Sequence, residues 1–318
     1  MSTARPRFHT STALLCACAI ALSGPALAED WFPSRYGADD TLGAVNLLSA
    51  DHVKRAAGLV KEGRTYPLGV VTGPETPAYG ARKFNMTILQ LSDGTGTPLG
   101  SNRATGNDDV VYTFVGIGSQ IDGLGHMGID HVYYNGTKPA DFVTTAGLTK
   151  LGTESIPPIV TRGVLLDMTR HFGQPMLSEG TVFNSKEIEA AAKAQGTKIR
   201  EGDVVLFHTG WLALVGQDDA RYMAGEPGLG VEGARFLAER GVVAVGADTW
   251  GLEVIPFEEE TQVFPVHPEL LAKNGVYILE NMNTAELARD EAWEFLFVLG
   301  QPRLQGSVQA IINPVAIR

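Results

Sequence analysis

The 318-residue chain carries 25 Lys and Arg against 36 Asp and Glu, a formal net charge of −11. So acidic a protein repels phosphates, which disfavours nucleic acid and anionic membrane surfaces as partners and favours metal cations and small, weakly charged molecules. Cys16 and Cys18 are its two cysteines; both fall in the leader described next, so the mature chain is expected to hold no disulfide, thiolate ligand or cysteine nucleophile.

Residues 1–28 read as a signal peptide, with Arg5 and Arg7 at its positive start, an apolar stretch over 13–22 and the small-residue site Ala26-Leu27-Ala28. Cleavage there removes two positive charges and makes the net charge −13. The expected location is periplasmic or secreted. No later segment offers about 18 uninterrupted apolar residues, so no membrane span is expected.

Past a turn-rich stretch at 39–48, Ser49 reads as the N-cap of a helix over 50–61 stopped by Gly63. Strands are expected at 87–91, 110–117, 163–168, 204–209, 242–247 and 276–279, short β-branched runs bounded by Gly, Asp or Asn. Asn184 and Glu187 make a capping box for a helix to 194, and another helix spans 231–240 before Gly241. His267-Pro268 opens a helix that Asn274-Gly275 ends. This order predicts one α/β domain over 29–318 with a mixed sheet flanked by helices.

The densest polar cluster is GIGSQIDGLGHMGIDHVYYNG, residues 116–136. Gln120 and Asp122 are two apart, so an extended strand points both to one face, and Gly123 and Gly125 allow a turn that returns His126 to it. A carboxylate, a side-chain carbonyl and an imidazole are competent ligands for a divalent ion, and a nearby histidine suits acid–base work. The bland alternative is a solvated, glycine-rich loop. Downstream, His267 sits at a helix entrance and Glu280 follows four apolar or aromatic residues. A carboxylate there either escapes to solvent or meets a cation, because an unpaired buried charge costs several kcal/mol.

These stretches resemble the cyclase family of metal-dependent hydrolases that includes bacterial kynurenine formamidase and isatin hydrolase. The family motif His-x-Gly-Thr-His-x-Asp-x-Pro-x-His falls on Gly116, Gly118, Ser119, Gln120, Asp122, Leu124 and His126. GAVNLL at 43–48, RGVLLDM at 162–168, GDVVLFHTGW at 202–211 and the 267–280 segment support it in order. Gly116 and Gln120 stand where the family places two histidine ligands, and Leu124 replaces a proline. The resemblance implies a compact swivelling β/β/α fold. It also implies Asp122, His267 and Glu280 as metal ligands, with Gln120 adding a weak carbonyl oxygen, and His126 as the catalytic histidine. One zinc or manganese ion per chain is expected, and a homo-oligomer, dimer or tetramer.

The expected activity is hydrolysis of a small amide, formamide or lactone by metal-activated water with His126 as general acid and base. The alternatives are a lyase or isomerase at the same centre, or a catalytically inactive periplasmic binding protein on the same fold. Tyr133, Tyr134, Asn135, Trp211 and Trp250 are candidates for a substrate-binding wall, with core packing as the competing role. Asp248 and Thr249 end a predicted strand near it, whereas His52, His131, His171 and His208 read as structural or exposed. A serine nucleophile is not supported, because Ile121 occupies the last glycine position of a Gly-x-Ser-x-Gly elbow at Ser119.

Overall fold

The β-branched runs that punctuate the sequence become the middle of a nine-stranded mixed sheet. Its order is Thr65–Pro67, Val315–Ile317, Glu294–Leu299, Ile159–Asp167, Val204–His208, Ala244–Ala247, Tyr277–Glu280, Gln120–Asp122 and Gln309–Ile311. The four strands from Ile159–Asp167 to Tyr277–Glu280 are parallel to one another, and the remaining pairings are antiparallel. Parallel strands are covered on both faces, which is why VVLF at 204–207 and the neighbouring runs are continuously apolar. Val164, Leu206, Val245 and Ile278 are all fully buried, each contributing about 1.5–3 kcal/mol of transfer free energy.

The computed structural model describes Met1 and residues 31–90 and 97–318. The expected signal peptide thus lies, apart from Met1, outside the described residues, as do Cys16, Cys18 and Leu91. Residues Trp31–Arg318 form one compact unit. The expected α/β architecture, a mixed sheet flanked by helices, is what forms. Helix Val231–Glu239 buries Ala234, Leu237 and Ala238, an i, i+3, i+4 stripe facing the core. Helix Ser185–Ala194 starts where the sequence indicates, with the Glu187 carboxylate accepting from the Asn184 amide at 3.1 Å. The first helix, Ala50–Ala57, is shorter than expected, and Ser49 Oγ bonds His52 Nδ1 at 2.9 Å instead of capping the backbone. Among the described residues no helix is long and apolar enough to cross a membrane.

Two differences bear on the site. The expected strand over 110–117 is instead Asn107–Thr113, paired with Phe84–Gln90 in a separate two-stranded hairpin. The chain then leaves extended pairing through Gly116 and Gly118 and re-enters the main sheet at Gln120–Asp122. Gly118 has φ +63°, and a Cβ there would lie 2.1 Å from Thr72 Oγ1, so a side chain at the crossing would be strained and would have to displace Thr72. The second difference is register: on its two antiparallel neighbours, Asp122 faces Ile278 and Gln309, while Gln120 faces Glu280 and Ile311. Directly opposed residues share a face. Asp122, Gln309, Gln120 and Glu280 are therefore gathered by strand pairing alone.

Candidate metal centre and active site

Asp122 is fully buried, and its two oxygens have different surroundings. Oδ1 accepts from Gln309 Nε2 at 2.7 Å and from Gln120 Nε2 at 3.3 Å. Oδ2 is buried with no hydrogen-bond partner among the described residues, yet His267 Nε2 lies 3.6 Å and His126 Nε2 3.8 Å from it. Ligand atoms of Asp122, His126 and His267 all fall within 4.8 Å of one another. Glu280 Oε1 approaches His267 Nε2 at 3.2 Å, and its Oε2 accepts from Gln120 Nε2 at 2.6 Å.

His267 is oriented from behind. Its Nδ1 donates to Glu253 Oε1 at 2.5 Å, and the same carboxylate accepts from the Val266 and His267 backbone N–H groups at 3.1 and 3.2 Å. That bond orients the ring so that Nε2 is aimed at Asp122 and Glu280, the arrangement that metal-ligating histidines commonly show. Asn281, at φ +54° just past Glu280, clips the strand ends together. Its side chain donates to the Gly118 carbonyl at 3.0 Å and accepts from Tyr222 Oη at 2.7 Å, while Ser119 Oγ donates to its carbonyl at 2.6 Å.

The electrostatics follow from charge and burial. Burial pushes the Asp122 carboxyl up, but His126 and His267 beside it prevail and hold it near about 2. Burial and the neighbouring Asp122 carboxylate push Glu280 up to about 7. Burial lowers the His126 imidazole below the usual histidine value against the pull of Asp122. At His267 burial is outweighed by Asp122, Glu253 and Glu280, which raise it well above that value. Three buried carboxylates converging on two imidazoles make a pocket that demands positive charge. The orphaned Asp122 Oδ2, with nitrogen and oxygen donors around it, fits a divalent cation.

The cluster forms the floor of a cavity of about 270 Å³. Gln120, His126, His267 and Glu280 line it together with Tyr79, Arg82, Met127, Trp250, Val263 and Phe264. Tyr79 stacks on Trp250 with centroids 5.5 Å apart, and Phe264 stands edge-on to both. Arg82 is held at the rim by a 2.9 Å bond to the Gly116 carbonyl.

Gln120, Asp122, His126, His267 and Glu280, all singled out from sequence, are thus brought together. Gln120 differs in one respect: its N–H group, rather than its carbonyl oxygen, faces Asp122 and Glu280, because a carboxylate can only accept. Of the expected substrate wall, Trp250 lines the cavity and the other four residues do not. Tyr134 is buried and donates to Asp40 Oδ2 at 2.6 Å, and the Asn135 amide bonds the carbonyls of Gly37, Ala38 and Asp40. Tyr133 packs edge-on against Phe142, and Trp211 is fully buried with Nε1 donating to the Tyr222 carbonyl. Asp248 accepts from Thr209 and Gly210 and faces His208 at 3.2 Å, a structural role. Glu253, Gln309, Arg82, Tyr79 and Phe264 are site residues not singled out from sequence.

The family model described as "Putative cyclase" matches residues 65–254. This chain belongs to the cyclase family. Among solved structures, one titled a novel cyclase is similar to this family member at 28% identity and TM-score 0.80, over 89% of this chain and 98% of its own. Isatin hydrolase A from Labrenzia aggregata shares the fold at 19% identity and TM-score 0.60, over 82% and 94% of the two chains. A structure titled a potential metal-dependent hydrolase with cyclase activity shares it at 17% and 0.52, over 80% and 98%. No curated protein matches the sequence.

Proposed function

We propose that this cyclase-family protein is a metal-dependent hydrolase that opens a small amide, formamide or lactone. The observation that carries the reading is the buried, unpartnered Asp122 Oδ2 facing two imidazoles at the floor of a cavity. Asp122, His267 and Glu280 are the residues that would hold one zinc or manganese ion. When bound, such an ion supplies polarisation of a carbonyl and acidification of water. Hydrolase folds among the structural relatives support the same reading.

The chain's own residues divide the remaining work. Glu253 orients His267. His126, the most exposed member of the cluster with 18% of its side chain accessible, faces the cavity, and burial keeps its imidazole neutral. It can therefore take a proton at Nε2 from water and return it to the leaving nitrogen or oxygen. The Tyr79, Trp250 and Phe264 rings exclude water and accept a flat, ring-bearing substrate. Trp250 Nε1, buried and without a hydrogen-bond partner among the described residues, and the Arg82 guanidinium supply donors for its carbonyl or anionic groups.

Export through the leader at 1–28 and self-association complete the proposal. The hairpin Phe84–Gln90/Asn107–Thr113 supports the latter, since it exposes Met86, Ile88, Val110, Val111 and Tyr112, and an isolated two-stranded ribbon is marginal in water. The deciding experiment is His126→Ala assayed for turnover of formamides, cyclic amides and lactones beside its metal content. Metal retained with turnover lost supports the assignment. Loss of both would make His126 a ligand, and a wild-type protein that binds these compounds without turnover would favour a binding protein.

A further inference from the structure

Residue 116 and Gln309 compete for one volume. A Cβ on Gly116 would lie 2.2 Å from Gln309 Oε1 and 2.6 Å from its Cδ and Nε2. Residue 116 can carry no side chain while that amide is in place. The amide is held there by register and by charge: Gln309 lies directly opposite Asp122, and its Nε2 donates to Asp122 Oδ1 at 2.7 Å. Gln120, on the same strand as Asp122, repeats the arrangement toward the other neighbouring strand, opposite Glu280 and donating to Glu280 Oε2 at 2.6 Å. Both amides present N–H groups to carboxylate oxygens, which have no hydrogen to give.

The two carboxylates are therefore divided oxygen by oxygen. Asp122 Oδ1 and Glu280 Oε2 are occupied by amide donors, and Asp122 Oδ2 and Glu280 Oε1 are turned toward His267 Nε2 at 3.6 and 3.2 Å. We propose that Gln120 and Gln309 are positioning residues that pin one oxygen of each carboxylate and so restrict the centre to a single divalent ion. The inference rests on the metal-dependent reading of the site. The physical ground is that an amide N–H carries positive charge on its hydrogen, so the side of the cluster lined by Gln120 and Gln309 offers a second cation repulsion where a ligand would offer an oxygen or nitrogen lone pair. The same bonds prevent the carboxylates from rotating to share their second oxygens.

The test is metal stoichiometry of the full-length protein, measured by isothermal titration with Zn²⁺ and with Mn²⁺ and by elemental analysis, beside Gln309→Glu, Gln120→Glu and Gln309→Met. Wild type is expected to bind one ion. Gln309→Glu replaces a donor with an acceptor against Asp122 Oδ1, and a second ion per chain is the expected result. Gln120→Glu does the same against Glu280 and keeps the question answerable if the other variant does not fold. Gln309→Met retains one ion with affinity about ten- to hundredfold weaker, as when other outer-shell partners are lost. Two ions in the wild type, or one ion at unchanged affinity in all three folded variants, would overturn the proposal while leaving a metal-dependent enzyme. No ion in any form would overturn both.

Discussion

Glu253→Gln removes one negative charge behind His267 and leaves the shape of the side chain almost intact. In the wild type, the 2.5 Å Nδ1 to Oε1 bond is assisted by the Glu253 carboxylate, which also accepts two backbone N–H groups. A hydrogen bond to a charged group contributes about 1.5–3 kcal/mol. At about 1.4 kcal/mol per decade that converts to a metal affinity about ten- to a hundredfold weaker, which matches the usual cost of losing an outer-shell carboxylate. The glutamine carbonyl can still accept from Nδ1–H and the His267 N–H, which share Oε1, but its NH2 cannot accept from the Val266 N–H that now bonds Oε2, so affinity should fall with a modest loss of melting temperature. Glu253→Ala strands all three buried donors and should lower both by more. The assay is competition for Zn²⁺ against a chromophoric chelator, with the thermal transition of each variant recorded alongside. Wild-type affinity in a folded Glu253→Gln protein would refute the claim that Glu253 tunes His267 as a ligand.

Other outcomes follow from features away from the centre. Arg162 bonds Asp203 through Nε at 2.9 Å and through Nη2 at 2.5 Å and reaches the Lys198 carbonyl and Glu294. Arg162→Met leaves a buried carboxylate unpaired and should cost about 3–5 kcal/mol in urea unfolding, so an unchanged midpoint would contradict the burial seen here. At Asp40, burial raises the carboxyl, but donors from Tyr134, Gly43 and Asn46 outweigh it and lower the group below its usual 3.8. A depressed carboxylate stabilises above its unfolded value and loses that contribution as pH falls through the folded one. Asp40→Asn should thus be less stable than wild type at neutral pH, with the gap closing in acid below about 3.8; a gap that widens there would reverse the sign. Aspartates at Val111 and Tyr112 should reduce the mass seen by light scattering to that of a single folded chain if the hairpin joins subunits. An unchanged mass would remove the hairpin from the interface.

Much of the centre is legible in the chain because each residue breaks a local rule. Asp122 and Gln120 interrupt a strand at the spacing of one face, His126 follows a glycine turn, and Glu280 ends an apolar run where a charge needs a partner. Glu253 breaks the same rule between Leu252 and Val254, where a charge needs a partner just as Glu280 does. Gln309 carries no such mark: a neutral glutamine in SVQAII is unremarkable until strand pairing places it opposite Asp122. Arg82, Tyr79 and Phe264 reach the cavity from long connections, for which neither a period of 2 nor of 3.6 gives direction. Among the strands, Glu294–Leu299 alternates half-buried and buried residues along EFLFVL, a pattern open to reading. The three-residue strands Thr65–Pro67, Gln309–Ile311 and Val315–Ile317 are too short to show one, and exist because the sheet supplies their partners. Tyr134 and Trp211 are core residues for the ordinary reason that large rings bury, and only their hydrogen bonds to Asp40 and Tyr222 separate them from a pocket wall.

The overlap between residue 116 and the Gln309 amide also sets an order for mutational change. Any side chain introduced first at 116 meets that amide and destabilises by overpacking, about 1–3 kcal/mol, whatever ligand it might bring. Shortening residue 309 first opens the volume at the expense of one donor to Asp122. The two positions are therefore non-additive, because a substitution at 116 that is destabilising in this background costs less once 309 has been shortened. A route to a side chain at 116 is eased by changing 309, and screens that vary one position at a time will score substitutions at 116 as destabilising.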